Sequence, residues 1–402
     1  MLKKLFPYLG EYKHLAIITP LLMILEVACE LALPRFMANI VDVGIPSNDL
    51  NYILRMGAVM LVLAVCSMLC GMFGAKFAAI TGQGFGANLR RSIYNKVQEF
   101  SFADIDRFSS ASLITRITND VNAIQMMVTM ALRLLVRAPV MLIAALAVTF
   151  TINPSLVLVM LVTIPLLVLA IGVLMMVCNR LFSVLQTRID ALNATVQENL
   201  VAIRVVKAFV REGYEKTKFK TSNDDLTQAT IQVGMRVIAM IPIMMIAMNC
   251  ATAAVLYLGG GQVVAGDMLI GDLSSFITYI FQILMSVMML GMSFLQLSRS
   301  IACARRIDEV LETEPSIEDG ATAAQDLPAP RGQVEFRNVD FKYQAGGTGE
   351  DVLSGIALTI HPGEFLAVVG GTGTGKSSLV NLIPRFYDVT GGAVLVDGLD
   401  VR

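Results

Sequence analysis

Residues 365–380 read FLAVVGGTGTGKSSLV. The run from Phe365 to Val369 is apolar and rich in β-formers, and predicts a buried parallel strand. Gly370-Gly371-Thr372-Gly373-Thr374-Gly375-Lys376-Ser377 then satisfies G-x-x-x-x-G-K-[ST] at every fixed position. Glycines let the backbone curl so that its N–H groups point at phosphate oxygens, where a Cβ would obstruct. Lys376 is expected to reach the β- and γ-phosphates, and the Ser377 hydroxyl to hold Mg²⁺. A helix from Gly375 onward adds the positive end of its dipole. A chance Gly/Thr loop is set aside by the strand before it and the helical Leu379–Ile383 after it. The stretch predicts a nucleoside triphosphate site at the head of an α/β domain.

Most of the chain is of another kind. Of its 402 residues, 55% are hydrophobic and only 16% charged, where a soluble protein carries about 25% charge. This composition marks an integral membrane protein. The six cysteines lie almost wholly inside apolar runs and read as small core residues. The two histidines, His14 and His361, are far apart in sequence, so a His-based metal site or triad is not expected. Net charge is −1 and indicates no partner; a nucleic-acid partner is not expected. Residues 2–13 are not expected to be a signal peptide, since Glu26 and Glu30 interrupt the run that follows. They predict an amphipathic helix on the membrane face, with Leu2, Leu5, Phe6 and Leu9 inward.

A membrane-crossing helix needs roughly 20 apolar residues. Spans meeting that requirement lie near 15–40, 56–75, 131–152, 156–178, 237–265 and 273–298. Orientation follows from Lys and Arg. The stretches 44–52, 151–155 and 259–272 contain none, whereas 76–133 and 179–236 are rich in both. The N-terminus and the two basic segments are therefore expected in the cytoplasm, with helices two to five extending well beyond the bilayer. Polar breaks near Ser101–Ser110 and Arg211–Phe219 suit short helices across the tips. From Leu311 the sequence turns acidic and rich in Ala and Pro, which predicts a linker over 313–331. Alternation in Gln333–Phe341 predicts a half-exposed strand; Val352–Ile360, Phe365–Val369 and Ala393–Val396 are further strands. The expected fold class is a multi-domain membrane protein. An all-α, six-helix transmembrane domain over 1–312 precedes the start of an α/β P-loop domain over 332–402.

This layout resembles an ABC exporter half-transporter. Ser112–Val121 (SLITRITNDV), Gln197–Phe209 (QENLVAIRVVKAF) and Ala304–Leu311 (ARRIDEVL) are similar to the family's stretches around the coupling helices and after the sixth membrane helix. Ile383-Pro384-Arg385-Phe386-Tyr387-Asp388, Gly391-Gly392 and Val396-Asp397-Gly398 match its continuation after the phosphate loop. The resemblance implies ATP and Mg²⁺ as ligands, with Tyr343 stacking on adenine and Ser378 beside Ser377 in the phosphate loop. It implies a partner half-transporter, identical or different, and a bacterial plasma membrane. The exported substrate would be an amphipathic small molecule, drug or lipid. In the family the glutamine loop, LSGGQ signature, Walker B carboxylate and switch histidine follow later. By that resemblance no catalytic residue is expected within this sequence, which is expected to be part of a longer ATPase. The competing expectation is a non-hydrolysing membrane protein that retains the start of a nucleotide site. For Tyr343 the alternative is an ordinary strand-end tyrosine.

Two features of the membrane half invite a functional reading. Plotted at about 100° per residue, Ser275, Gln282, Met285, Ser286, Met289, Met292, Ser293 and Gln296 share one face of the sixth helix. Such a face avoids lipid, and flexible methionine suits varied apolar ligands. It predicts a substrate pathway, joined by Met240, Met244 and Met248, or else a helix–helix packing face. Glu26 and Glu30 lie one turn apart, as do Arg133 and Arg137. They predict a cross-helix pairing or an acidic site for cationic substrates, or else side chains reaching to water.

Overall fold

The structure is a computed structural model and describes residues 6–318, 331–343 and 351–402, apart from the side chains of 175, 240, 292, 294–296, 298 and 299. Most of the expected linker, 319–330, lies outside the described residues. Among the described residues six helices are long and apolar enough to cross a membrane. The first is α1 (Lys13–Asn39), extended by a π-helical turn, Ile40–Gly44. The others are α2 (Leu50–Gln98), α5 (Val121–Ile152), α6 (Pro154–Val201), α8 (Glu212–Ala265) and α9 (Ile270–Glu312). At 1.5 Å per residue, α2, α6 and α8 are each about 70–80 Å long, more than twice a hydrocarbon core of about 30 Å. Prolines 20, 34, 139, 165 and 242 sit inside these helices. From α9, Ser275 donates to the Pro34 carbonyl and Tyr279 to that of Leu31, which ties α9 to the α1 turn that carries Pro34.

The breaks between long helices are filled by short ones. α3 (Phe102–Phe108) is held by a reciprocal cap, with Ser101 Oγ accepting from Asp104 N–H and the Asp104 carboxylate accepting from Ser101 N–H. α4 (Ser110–Thr115) and a π turn, Arg116–Asp120, lead into α5. The second break departs from expectation. Its short helix is α7 (Ile203–Ala208), and α8 has begun by Glu212. Val210, at φ 51°, turns the chain there, and Glu212 and Glu215 complement the dipole of the new helix. At the N-terminus the expected amphipathic helix is a 3₁₀ segment, Phe6–Tyr12, bent at Gly10 (φ 49°), with Leu9 buried and Phe6 exposed. Residues 1–5 lie outside the described residues.

Contacts group the chain into two compact units, Met1–Leu15 with Ala79–Thr129 and Gln296–Arg402, and Ala16–Ala78 with Met130–Leu295. The second unit is a helical bundle whose core is centred on Phe276, Tyr279, Ile280 and Ile283, all nearly inaccessible. Val27, Met141, Leu156 and Val255 pack against them from four other helices. The first unit contains a four-stranded antiparallel sheet in the order β2-β1-β3-β4. Its strands are β1 (Val334–Phe341), β2 (Leu353–Ile360), β3 (Gly391–Val396) and β4 (Leu399–Asp400). Phe336 opposes Leu358 on one side and Val394 on the other, so one pleat face feeds a core with Val339, Phe341 and Leu382.

Candidate nucleotide site and polar sites in the membrane helices

The phosphate loop connects β2 to the helix α10 (Lys376–Leu382). The expected strand Phe365–Val369 does not form. Residues 364–371 have no regular structure, and Phe365 and Val369 are 95% and 92% exposed. A parallel strand is stabilised by neighbours covering both faces and edges, and among the described residues no strand pairs with it. The loop after it does take up the expected backbone. Gly373 and Gly375 adopt φ 86° and 80°, a left-handed conformation that favours glycine. A Cβ at Gly375 would stand 2.8 Å from Leu353 Cδ2 and 3.0 Å from the Val352 carbonyl, so glycine also seats α10 against β2. The Lys376 ammonium donates to the Gly370 carbonyl at 2.9 Å and to that of Gly371. Thr374 Oγ1 donates to Gly371 O at 3.0 Å. Gly370, Thr372 and Ser377 are exposed. The donor set of a glycine cradle, a lysine ammonium and a serine hydroxyl at a helix N-terminus fits a polyphosphate with its cation.

Tyr343 lies beside this helix. Its hydroxyl shares a 2.9 Å hydrogen bond with Ser378 Oγ, and Ser378 is buried. Its ring meets Phe341 and Tyr387 edge-on, at centroid distances of 4.9 and 5.2 Å. Tyr387 continues the contact to α3: its hydroxyl donates to Asp106 Oδ2 at 2.8 Å, and Phe386 lies 4.6 Å from Phe102. Burial, and then the bond to Asp106, push the Tyr387 phenol up to about 12. Asp104 of α3 also accepts from the N–H and hydroxyl of Ser316. Burial would raise that carboxyl, but the bonds from Ser316 and Ser101 outweigh it and hold the group below the usual aspartate range. Asp397 accepts from the N–H groups of Arg331, Gly332 and Gln333 and fixes the entry to β1. The links from Tyr343 to Ser378, from Tyr387 to Asp106, from Asp104 to Ser316 and from Asp397 to the entry of β1 were not visible as local patterns, because each joins residues tens to hundreds of positions apart.

Two of the stretches singled out in the sequence meet each other. Arg116 pairs with Glu309 at 2.8 Å, and Arg306 Nε donates to Asp120 Oδ2 at 2.8 Å. Arg116 also lies over the Phe108 ring at 5.0 Å.

In the bundle, Arg137 joins both acidic residues of α1: Nη2 lies 2.9 and 2.8 Å from the two Glu30 oxygens, and Nη1 lies 3.4 Å from Glu26. Gly71 makes room for Glu26, since a Cβ there would be 3.2 Å from Oε1. Arg133 does not share this pairing; its buried Nε has no hydrogen-bond partner among the described residues. The expected polar face of α9 is split. Ser275, Ser286 and Ser293 are buried, the last two bonding carbonyls of their own helix. Met285 and Met289 are exposed. Met244 and Met285 line an apolar groove of about 500 Å³ with Met245, Met248 and Met288. Gln282 keeps a buried Oε1 with no hydrogen-bond partner among the described residues. The side chains of Met240, Met292 and Gln296 lie outside the described residues.

Comparison with known proteins matches residues 16–287 to the family described as ABC transporter transmembrane region, and residues 353–402 to the family described as ABC transporter. An uncharacterised ABC transporter ATP-binding protein of Mycobacterium tuberculosis is 36% identical over 402 residues, all of this chain and 69% of that protein. An ATP-dependent lipid A-core flippase of Syntrophus aciditrophicus is 32% identical over 83% of this chain and 55% of its own. A fatty acid ABC transporter ATP-binding/permease protein of Mycobacterium bovis is 31% identical over 88% of this chain and 55% of its own.

Proposed function

The chain belongs to the ABC transporter family, with the exporter-type arrangement of a membrane half ahead of a nucleotide-binding half, and we propose that it is one subunit of an ATP-driven exporter of amphipathic small molecules. The observation that carries this reading is the phosphate loop Gly370–Ser377 in the same chain as six membrane-crossing helices. The loop glycines and Lys376 would hold the phosphates, Ser377 the Mg²⁺, and Tyr343 the adenine, with Ser378 supporting Tyr343. Bound ATP supplies the phosphoanhydride bond whose hydrolysis drives transport. The contacts from Phe386 and Tyr387 to α3 would report the occupancy of that loop to the helices it adjoins. A second half-transporter, identical or different, completes the machine.

The Lys- and Arg-rich segments 76–133 and 179–236 support a cytoplasmic N-terminus and phosphate loop in a bacterial plasma membrane. The names of the lipid A-core and fatty acid relatives support an acyl-chain amphiphile as cargo. The methionine groove supports the same reading, because thioethers adapt to flexible apolar chains. The test is uptake of a labelled lipid into inside-out vesicles from cells that produce the protein. Uptake that requires ATP and is lost in Lys376→Ala is expected. ATP-independent uptake, equal in the variant, would sink the proposal.

A further inference from the structure

Arg133 and Gln282 each hold one buried polar atom with no hydrogen-bond partner among the described residues, a donor in Nε and an acceptor in Oε1. Most buried polar atoms are paired, and inside a bilayer no water stands in for a missing partner. Both residues belong to the second compact unit, and helix register sets them at one depth. Ser275 and Tyr279 bond the carbonyls of Pro34 and Leu31, so α9 runs antiparallel to α1. One turn beyond Tyr279, Gln282 falls level with the α1 turn that carries Glu26 and Glu30. Arg137 of α5 grips those two carboxylates. Arg133, one turn earlier on α5, lies close enough to Glu26 to act on it electrostatically. Three helices thus place polar groups at about the same depth of the bundle.

The layer holds two carboxylates and two guanidinium groups and is neutral as a whole. Arg137 engages both carboxylates, which leaves Arg133 as a cation with an unused donor and Gln282 with an unused acceptor. A ligand satisfying both atoms must present an anionic oxygen and a hydrogen-bond-donating cation. We propose that this layer binds the head group of a zwitterionic amphiphile, its anionic oxygen on Arg133 and its ammonium on Gln282 and Glu26. A neutral head group in a neutral site leaves no charge uncompensated at low dielectric, whereas a simple anion or cation leaves one. Met285 and Met289, exposed on the same side of α9 as Gln282, provide an adaptable apolar surface for the acyl chain. The inference rests on the transporter reading for its amphiphile and adds the chemistry of the head.

Binding to the nucleotide-free protein in nanodiscs, read by native mass spectrometry, separates the two. The probes are lysophospholipids of one chain length with ethanolamine, choline or glycerol heads. The ethanolamine head, which alone pairs a phosphate with N–H donors on a cation, should bind about tenfold tighter than the others. Arg133→Leu should weaken ethanolamine and choline heads alike, by about tenfold. Gln282→Leu should remove the preference for ethanolamine over choline. Arg133→Lys and Gln282→Leu carry the test if Arg133→Leu does not fold. Equal binding of all three heads, a preference for the anionic glycerol head, or indifference to Gln282→Leu overturns the assignment. No ATP is present, so a failure of ATP-driven uptake leaves this result standing, and the reverse holds too.

Discussion

Tyr387 donates its hydroxyl hydrogen to Asp106 across a sequence separation of 281 residues. The bond ties α3 to the segment that follows the phosphate-loop helix, in company with the Phe102–Phe386 contact. Tyr387→Phe keeps the ring against Phe341 and Tyr343 and removes only the bond, so it should cost about 1 kcal/mol. The phenol, pushed up from 10.0 to about 12 by burial and then by Asp106, adds a pH signature. A raised folded value contributes stability that is fully present below the unfolded value and is lost as pH rises through the folded one. Thermal melts should therefore fall between about pH 10 and 12 in the wild type and less in Tyr387→Phe. Identical alkaline profiles would show that the bond does not form.

Asp104 has the opposite sign. Its folded value lies below the ordinary 3.8, because bonds from Ser316 and Ser101 outweigh burial. A lowered carboxyl contributes stability above its unfolded value that is lost as pH falls through the folded one. Asp104→Ala should cost about 1 kcal/mol through the helix cap alone, and it should free Ser316 for proteolysis. Melting of the wild type should drop more steeply than that of the variant below about pH 4. Equal cleavage near Ser316 in both proteins would discount the tie between α3 and the chain after α9.

How much of this was legible beforehand depends on the range over which each feature is encoded. Six membrane helices follow from apolar run length, and the phosphate loop from eight consecutive residues. The pairing of Glu26 and Glu30 with a third-helix arginine was foreseeable from two charged pairs one turn apart. That Arg137 takes both partners, and Arg133 neither, depends on helix rotation, which no periodicity specifies. The strand read into Phe365–Val369 failed for a related reason. An apolar run states that burial would stabilise it and does not supply the strands that would cover it. The contacts of Tyr343, Tyr387, Asp106 and Asp397 are made across the fold, and their residue types are common on any surface.

Gly375 is where backbone geometry and ligand chemistry coincide. It caps α10 at φ 80° and touches β2 so closely that a Cβ would clash with Leu353 and the Val352 carbonyl. Gly375→Ala should destabilise the protein by about 1–2 kcal/mol through left-handed strain. Its larger effect should be on ligand affinity, since any shift of α10 misdirects Lys376 and Ser377 together. Binding of a fluorescent ATP analogue should weaken by about tenfold or more. A variant that melts earlier yet binds the analogue normally would show that the loop tolerates the displacement.

Arg137 is the charge on which the polar layer of the bundle depends. Removing one partner of a buried ion pair leaves the other uncompensated, a loss of about 3–5 kcal/mol, whereas removing all partners together is far less costly. Arg137→Met strands Glu26 and Glu30 beside each other in a low-dielectric setting, with Arg133 nearby. It should lower the melting temperature of the solubilised protein sharply. Adding Glu30→Gln to that variant should restore most of the loss, because Glu26 then faces Arg133 and the layer is neutral again. Glu30→Gln alone should cost less than Arg137→Met, since Glu26 still balances the guanidinium. If the double variant melts no higher than Arg137→Met, these residues do not act as one electrostatic unit.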